Sequence, residues 1–178
     1  MNATARAVFL DRDGVLNRAI VRDGSPYPPA GIAEIELLPG TREACAALRA
    51  ASYLLIVVTN QPDIARGKQN RETVDALNGW LQRELELDQI RVCPHDDRDA
   101  CPCRKPAPGM LLEAARQLNI DLAASFMVGD RWRDVEAGKR AGCRTVFLNR
   151  GYRERQPTGY DHEAPDLPAA AEWIFERG

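Results

Sequence analysis

No run of apolar residues in this 178-residue chain approaches the roughly 20 needed to cross a bilayer. Its opening, MNATARAVFLDRDG, has no apolar stretch long enough for a secretory leader. An excess of one charge is lacking too. Lys and Arg number 24 against 26 Asp and Glu, so a net charge of −2 gives no general attraction to nucleic acid or to an anionic membrane. Internal repeats and low-complexity tracts are absent. Cysteine is sparse, odd in number at five, and unevenly placed, which argues against a disulfide framework and for reduced thiols in the cytoplasm. What is present is ordinary for a globular protein: 44% hydrophobic and 28% charged residues, enough for one well-buried core and too little for two domains.

Short apolar runs alternate with longer amphipathic stretches. Residues 7–10, 54–58, 90–93, 126–128 and 145–148 are brief, largely apolar and mostly rich in β-branched or aromatic side chains, as strands covered on both faces should be. Helical spacing places Ala44, Cys45, Leu48 and Ala51 on one face of 41–51 and Val74, Leu77, Leu81 and Leu85 on one face of 71–86, with Asn70 as N-cap. Further helices are expected over 108–118, over 131–141 ending at Gly142, and over 168–176, after a loop-like 150–168. Strand–helix alternation through five strands predicts a single α/β domain over residues 1–178, a three-layer sandwich around a parallel Rossmann-like sheet.

In such sheets ligands bind beyond the carboxyl ends of the strands. The expected strands run into DRDGVLN, TNQ and GDRWRD, so Asp11, Asp13, Thr59, Asn60, Asp130 and Asp134 all fall on that edge. The strand at 90–93 runs into CPHDDRDACPC and then Arg104 and Lys105. Alone, each piece reads as a turn, a helix cap or a solvated charge. Together, in this order and on one edge, they read as a site. Asp11 and Asp13 are two apart, so an extended backbone would point both the same way with Arg12 opposite. Neighbouring carboxylates repel, and a hard oxygen-seeking cation such as Mg²⁺ relieves them, with Asp130 completing the set. A cation, a lysine and a hydroxyl make a clamp for a phosphoryl group, and a carboxylate nucleophile gives a route through an aspartyl-phosphate.

With these residues in view, the chain resembles the haloacid dehalogenase superfamily of phosphohydrolases. The four stretches FLDRDGVLN, VVTNQ, CRKPAPGM and MVGDRWRD carry the resemblance, and the fuller pattern, with CPH and CPC, resembles the branch that holds the heptose bisphosphate and histidinol-phosphate phosphatases. The resemblance implies Asp11 as nucleophile and Asp13 as general acid and base. It implies Thr59 and Lys105 on the phosphoryl oxygens, and Asn60, Arg104 and Arg131 on the substrate. Mg²⁺ would be held by Asp11, Asp130 and the Asp13 backbone carbonyl, with Asp134 either orienting that shell or lying on a helix face. Cys93, His95, Cys101 and Cys103 would hold a structural Zn²⁺, a closed four-ligand site that fixes the loop presenting Arg104 and Lys105. The substrate would be a small phosphorylated sugar or amino alcohol, with no nucleic-acid or membrane partner and a monomeric state. About 26 residues separate Asp13 from the helix near Gly40, too few for an independent cap domain. Cys45 and Cys143 are expected in the core, and His162 in an exposed loop. A silent zinc-stapled binding protein is the reading from another class, against which Asp11, Asp13, Lys105 and Asp130 all count.

Overall fold

The computed structural model describes residues 4–177. Six parallel strands form one sheet: β1 (Arg6–Leu10), β4 (Tyr53–Asn60), β5 (Gln89–Cys93), β6 (Phe126–Gly129), β7 (Arg144–Leu148) and β8 (His162–Ala164), in the order β5-β4-β1-β6-β7-β8. The remaining two strands, β2 (Ile20–Arg22) and β3 (Ser25–Tyr27), form a separate antiparallel hairpin. Five α-helices, α1 (Thr41–Ala50), α2 (Arg71–Leu85), α3 (Gly109–Leu118), α4 (Trp132–Ala141) and α5 (Leu167–Phe175), and two short 3-10 turns, Ile32–Glu34 and Asp97–Asp99, complete the described residues.

Alternate residues of each strand feed two cores. Val8, Leu10, Leu55, Val57, Val128 and Val146 face Leu48 of α1, Leu81 of α2 and Ile174 of α5. Phe9, Ile56, Val58 and Met127 face Leu111 of α3 and Ala137 of α4. The result is the expected three-layer sandwich, because strands buried on both faces need apolar residues at both parities. Local chemistry sets the ends of the helices. Asn70 caps α2 by accepting from the Thr73 amide at 2.7 Å, and α4 stops at Gly142, whose φ of 88° is a left-handed C′ conformation.

Two features depart from expectation. The stretch 150–168 is not all loop, since β8 pairs in parallel with β7 and makes a sixth strand. His162 accordingly lies on that strand and stacks on Trp173 at 4.8 Å, instead of standing in an exposed loop. Between Asp13 and α1, residues 20–27 form the β2–β3 hairpin, with Asp23 and Gly24 at φ 51° and 77°, the left-handed pair that a tight hairpin turn demands. Cys45 and Cys143 are buried, as expected.

From β1 the chain moves one way to β4 and β5, then crosses back to β6 on the other side of β1. The topological switch therefore lies between β1 and β6, and the carboxyl ends of β4, β1 and β6 place Thr59, Asp11 and Asp130 side by side.

Candidate active site

A cavity of about 250 Å³ opens over that edge, and Asp11, Asp13, Thr59, Asn60, Arg104, Lys105, Arg131 and Asp134 line it. At its floor sits Lys105, with the side chain 2% exposed. Its Nζ donates to Asp11 Oδ1 at 2.8 Å and to the Val58 carbonyl at 2.6 Å, and pairs with Asp134 Oδ1 at 2.6 Å. Burial alone would lower the lysine pKa, but the carboxylates of Asp11 and Asp134 carry it above its ordinary value, so Lys105 stays a cation. The Asp11 pKa is also raised, from 3.8 to about 6, because burial outweighs Lys105 and the Asp134 charge reinforces it. Asp134, left open by its sequence position, is buried and belongs to the site. Its Oδ2 accepts from the Arg131 amide at 3.0 Å, which caps α4 and orients the carboxylate toward Lys105.

Asp11, Asp130 and Asp134 bring one carboxylate oxygen each within 4.8 Å of one another. Asp130 is buried and its pKa stands well above the ordinary value, from burial first and then from the charges of Asp11 and Asp134. Its Oδ2 accepts from Tyr152 Oη at 2.7 Å, whereas its Oδ1 is buried without a hydrogen-bond partner. A buried carboxylate oxygen with nothing to bind, in a cluster of acids that repel one another, fits a hard divalent cation.

Asp13 takes a different place from the one an extended backbone would give. Residues 11–17 turn back on themselves, with the amides of Leu16 and Asn17 donating to the Arg12 carbonyl. Arg12 is fully buried and does not point away; it wraps round to Asp13, with Nη2 2.9 Å from Oδ2. Asn17 and Gln61 add hydrogen bonds to the same carboxylate at 2.9 and 3.0 Å. The Asp13 side chain thus stands apart from the three-carboxylate group while lining the same cavity.

Asn60 also lines the cavity, but both ends of its amide are engaged: Nδ2 donates to the Lys105 carbonyl and Oδ1 accepts from the Lys105 amide, each at 3.0 Å. It braces the segment that carries the lysine. Arg104 and Arg133 both reach Asp97, at 2.8 and 2.9 Å, and Arg131 is paired with Glu154. Sequence reasoning missed Gln61, Arg133 and Tyr152. Gln61 and Arg133 lie inside the motifs already quoted, whereas nothing local marks Tyr152.

Behind Arg104 and Lys105, the side chains of Cys93, His95, Cys101 and Cys103 meet. Their sulfurs are 3.1 to 3.6 Å apart, and His95 Nδ1 lies 3.3 Å from Cys103 and 3.6 Å from Cys93. These separations far exceed the about 2.0 Å of a disulfide and are of the order of the about 3.8 Å edge of a tetrahedron with metal–sulfur bonds near 2.3 Å. Three thiols and an imidazole are a borderline-soft donor set, and they fit a structural metal with no position left for water.

Sheet, switch point and acid–lysine floor together define a hydrolase of the haloacid dehalogenase (HAD) type. The HAD-hydrolase-like family model matches residues 102–171. Over 187 aligned residues the chain is 37% identical to the D-glycero-β-D-manno-heptose-1,7-bisphosphate 7-phosphatase of Yersinia pestis, covering 98% of this chain and 92% of the relative. It is 42% identical to the enzyme of the same name from Vibrio cholerae, over 81% of each chain. The crystal structure of D,D-heptose 1,7-bisphosphate phosphatase from B. bronchiseptica, complexed with magnesium and phosphate, superposes with a TM-score of 0.83 at 34% identity, over 97% of this chain and 99% of that one. The chain is a phosphatase and belongs to the HAD-like family of these heptose bisphosphate phosphatases.

Proposed function

We propose that this protein removes one phosphate from a sugar bisphosphate, D-glycero-β-D-manno-heptose 1,7-bisphosphate, by way of an aspartyl-phosphate on Asp11. The observation that carries the chemistry is the buried Lys105 between Asp11 and Asp134, which fixes one Asp11 oxygen and keeps a positive charge at the place where a phosphoryl group must sit. Lys105 and the Thr59 hydroxyl hold the phosphoryl oxygens while Asp11 attacks phosphorus. Asp13, steadied by Arg12, Asn17 and Gln61, gives a proton to the leaving alkoxide and then takes one from the water that cleaves the acyl phosphate. Asp11, Asp130 and the Asp13 backbone carbonyl would hold Mg²⁺, which supplies charge neutralisation for the phosphoryl oxygens.

The substrate assignment rests on the relatives and on one feature of the cavity. Beyond the lysine floor, Arg66, Arg104, Arg131 and Arg133 line its wall, guanidinium groups that a second phosphate would take over from their present partners Asp96, Asp97 and Glu154. Zn²⁺ in the Cys93–His95–Cys101–Cys103 group would fix the loop that presents Arg104 and Lys105. The protein would work as a monomeric single domain in the cytoplasm. No helix among the described residues is long and apolar enough to cross a membrane.

Mg²⁺-dependent phosphate release from the heptose bisphosphate and from histidinol phosphate, with Asp11→Asn as control, tests the reading. A strong preference for the bisphosphate supports it. A preference for histidinol phosphate would keep the chemistry and transfer the enzyme to an amino-alcohol substrate.

A further inference from the structure

Each acid of the Asp11–Asp130–Asp134 group has oxygens already engaged by the protein. Asp134 has both taken, Oδ1 by Lys105 and Oδ2 by the Arg131 amide. Asp11 has Oδ1 taken by Lys105. Asp130 has Oδ2 taken by Tyr152. What is left for a cation is single oxygens, the Oδ2 of Asp11 and the buried, partnerless Oδ1 of Asp130.

The Tyr152 contact is built with care for space. Tyr152 follows β7 and is buried, with its hydroxyl turned in at Asp130. Gly14 makes room for both: a Cβ there would lie 1.8 Å from Asp130 Oδ2 and 2.8 Å from Tyr152 Oη. The loop is pinned to the same place by Arg150, which donates to the Gly14 carbonyl at 2.9 Å and to the Pro165 carbonyl at 3.0 Å. Three separate segments thus interlock around one carboxylate oxygen.

The geometry points to Tyr152 as a positioning residue that sets cation selectivity: by occupying Asp130 Oδ2 it confines Asp130 to one-oxygen coordination and so favours Mg²⁺ over Ca²⁺. The physical basis is the difference between the two ions. Mg²⁺ requires a small, near-octahedral shell and takes carboxylates through one oxygen, whereas Ca²⁺ accepts six to eight oxygens at longer distance and readily takes both oxygens of a carboxylate. Hydrogen-bonded partners of metal ligands typically govern affinity by about 10- to 100-fold. A partner that blocks one oxygen should act unequally on ions that differ in how many they want.

This inference rests on the magnesium site proposed above, and the test separates the two. Dissociation constants for Mg²⁺ and Ca²⁺ are measured calorimetrically, without substrate, on the full chain and on Tyr152→Phe, which removes one oxygen atom. The expected result is a fall of about tenfold in the ratio of the Ca²⁺ to the Mg²⁺ dissociation constant, because the released Oδ2 becomes available to Ca²⁺. If both constants weaken together and the ratio holds, Tyr152 only supports the loop and the selectivity role is wrong. If the unmodified chain binds neither ion, the magnesium site itself is wrong and the inference goes with it. Should Tyr152→Phe not fold, Arg150→Ala loosens the same loop and is read by the same ratio.

Discussion

Lys105 Nζ stands 2.8 Å from Asp11 Oδ1, and both residues are buried, 94 positions apart in the chain. The pair closes the floor of the cavity and joins the end of β1 to the segment following the cysteine cluster. Replacing Lys105 with Met leaves Asp11 and Asp134 buried with no counter-charge. Removing one partner of a buried pair costs about 3–5 kcal/mol, which for a chain of this size lowers the melting temperature by roughly 10 °C. Phosphate release should fall about 100- to 1,000-fold, since a fixed cation at the phosphoryl site is lost. A thermal melt superimposable on that of the unmodified protein would rule out the buried pair.

The protein should respond to Mg²⁺ in a pH-dependent way. Asp11 rises from 3.8 to about 6 in the folded state, burial being the main cause. A carboxylate with a raised pKa favours folding fully below its unfolded value near 4, and that contribution is lost as pH climbs through about 6. Mg²⁺ binds the ionised form and offsets the loss. The rise in melting temperature on adding Mg²⁺ should therefore be larger at pH 7.5 than at pH 5. A Mg²⁺ effect that is equal at both, or larger at pH 5, contradicts this account.

Metal analysis of the purified protein should find one zinc per chain. Cys103→Ser, which removes the sulfur lying 3.1 Å from Cys93 and 3.2 Å from Cys101, should lose it. Because the cluster lies at the end of β5, an edge strand, the far-UV spectrum should be largely kept. Activity should fall by at least tenfold as Arg104 and Lys105 lose their anchor. Full activity in a zinc-free protein would reduce the cluster to four neighbouring side chains with no metal role.

Asn60→Ala separates bracing from substrate contact. Both ends of the Asn60 amide bond the Lys105 backbone, so its loss should move the lysine and lower kcat by about 10- to 100-fold with little change in KM. The reverse pattern, KM raised and kcat kept, would return Asn60 to the substrate-binding set.

The sheet strands β1, β4, β5, β6 and β7 were legible because each carries a short, largely apolar run, and the helices because their apolar residues recur at helical spacing. β8 was not legible, since His162–Ala164 is three residues long with an exposed Glu163 at its centre and no apolar run to mark it. The β2–β3 hairpin did leave a mark, the Asp23–Gly24 pair, though its strands, three residues each, are too short to draw attention to it. At the site, Asp11, Asp13, Thr59, Lys105 and Asp130 could be gathered from sequence because parallel topology sends strand ends to one edge. The direction of Arg12 could not, because the two-residue alternation that placed it opposite Asp13 applies to extended chain and residues 11–17 turn.

By itself the sequence determined the layers, the edge on which the chemistry collects and the kinds of group present, since periodicity and strand-end position are local properties. Only the tertiary structure decided which oxygen of each acid is engaged and which is left for a cation. That depends on Tyr152, Lys105 and the Arg131 amide meeting those acids in space, and on Gly14 leaving room for them to do so. The Tyr152 and Lys105 contacts are set by packing between distant segments and no local pattern encodes them; the bond from the Arg131 amide to Asp134 spans only three residues at the start of α4.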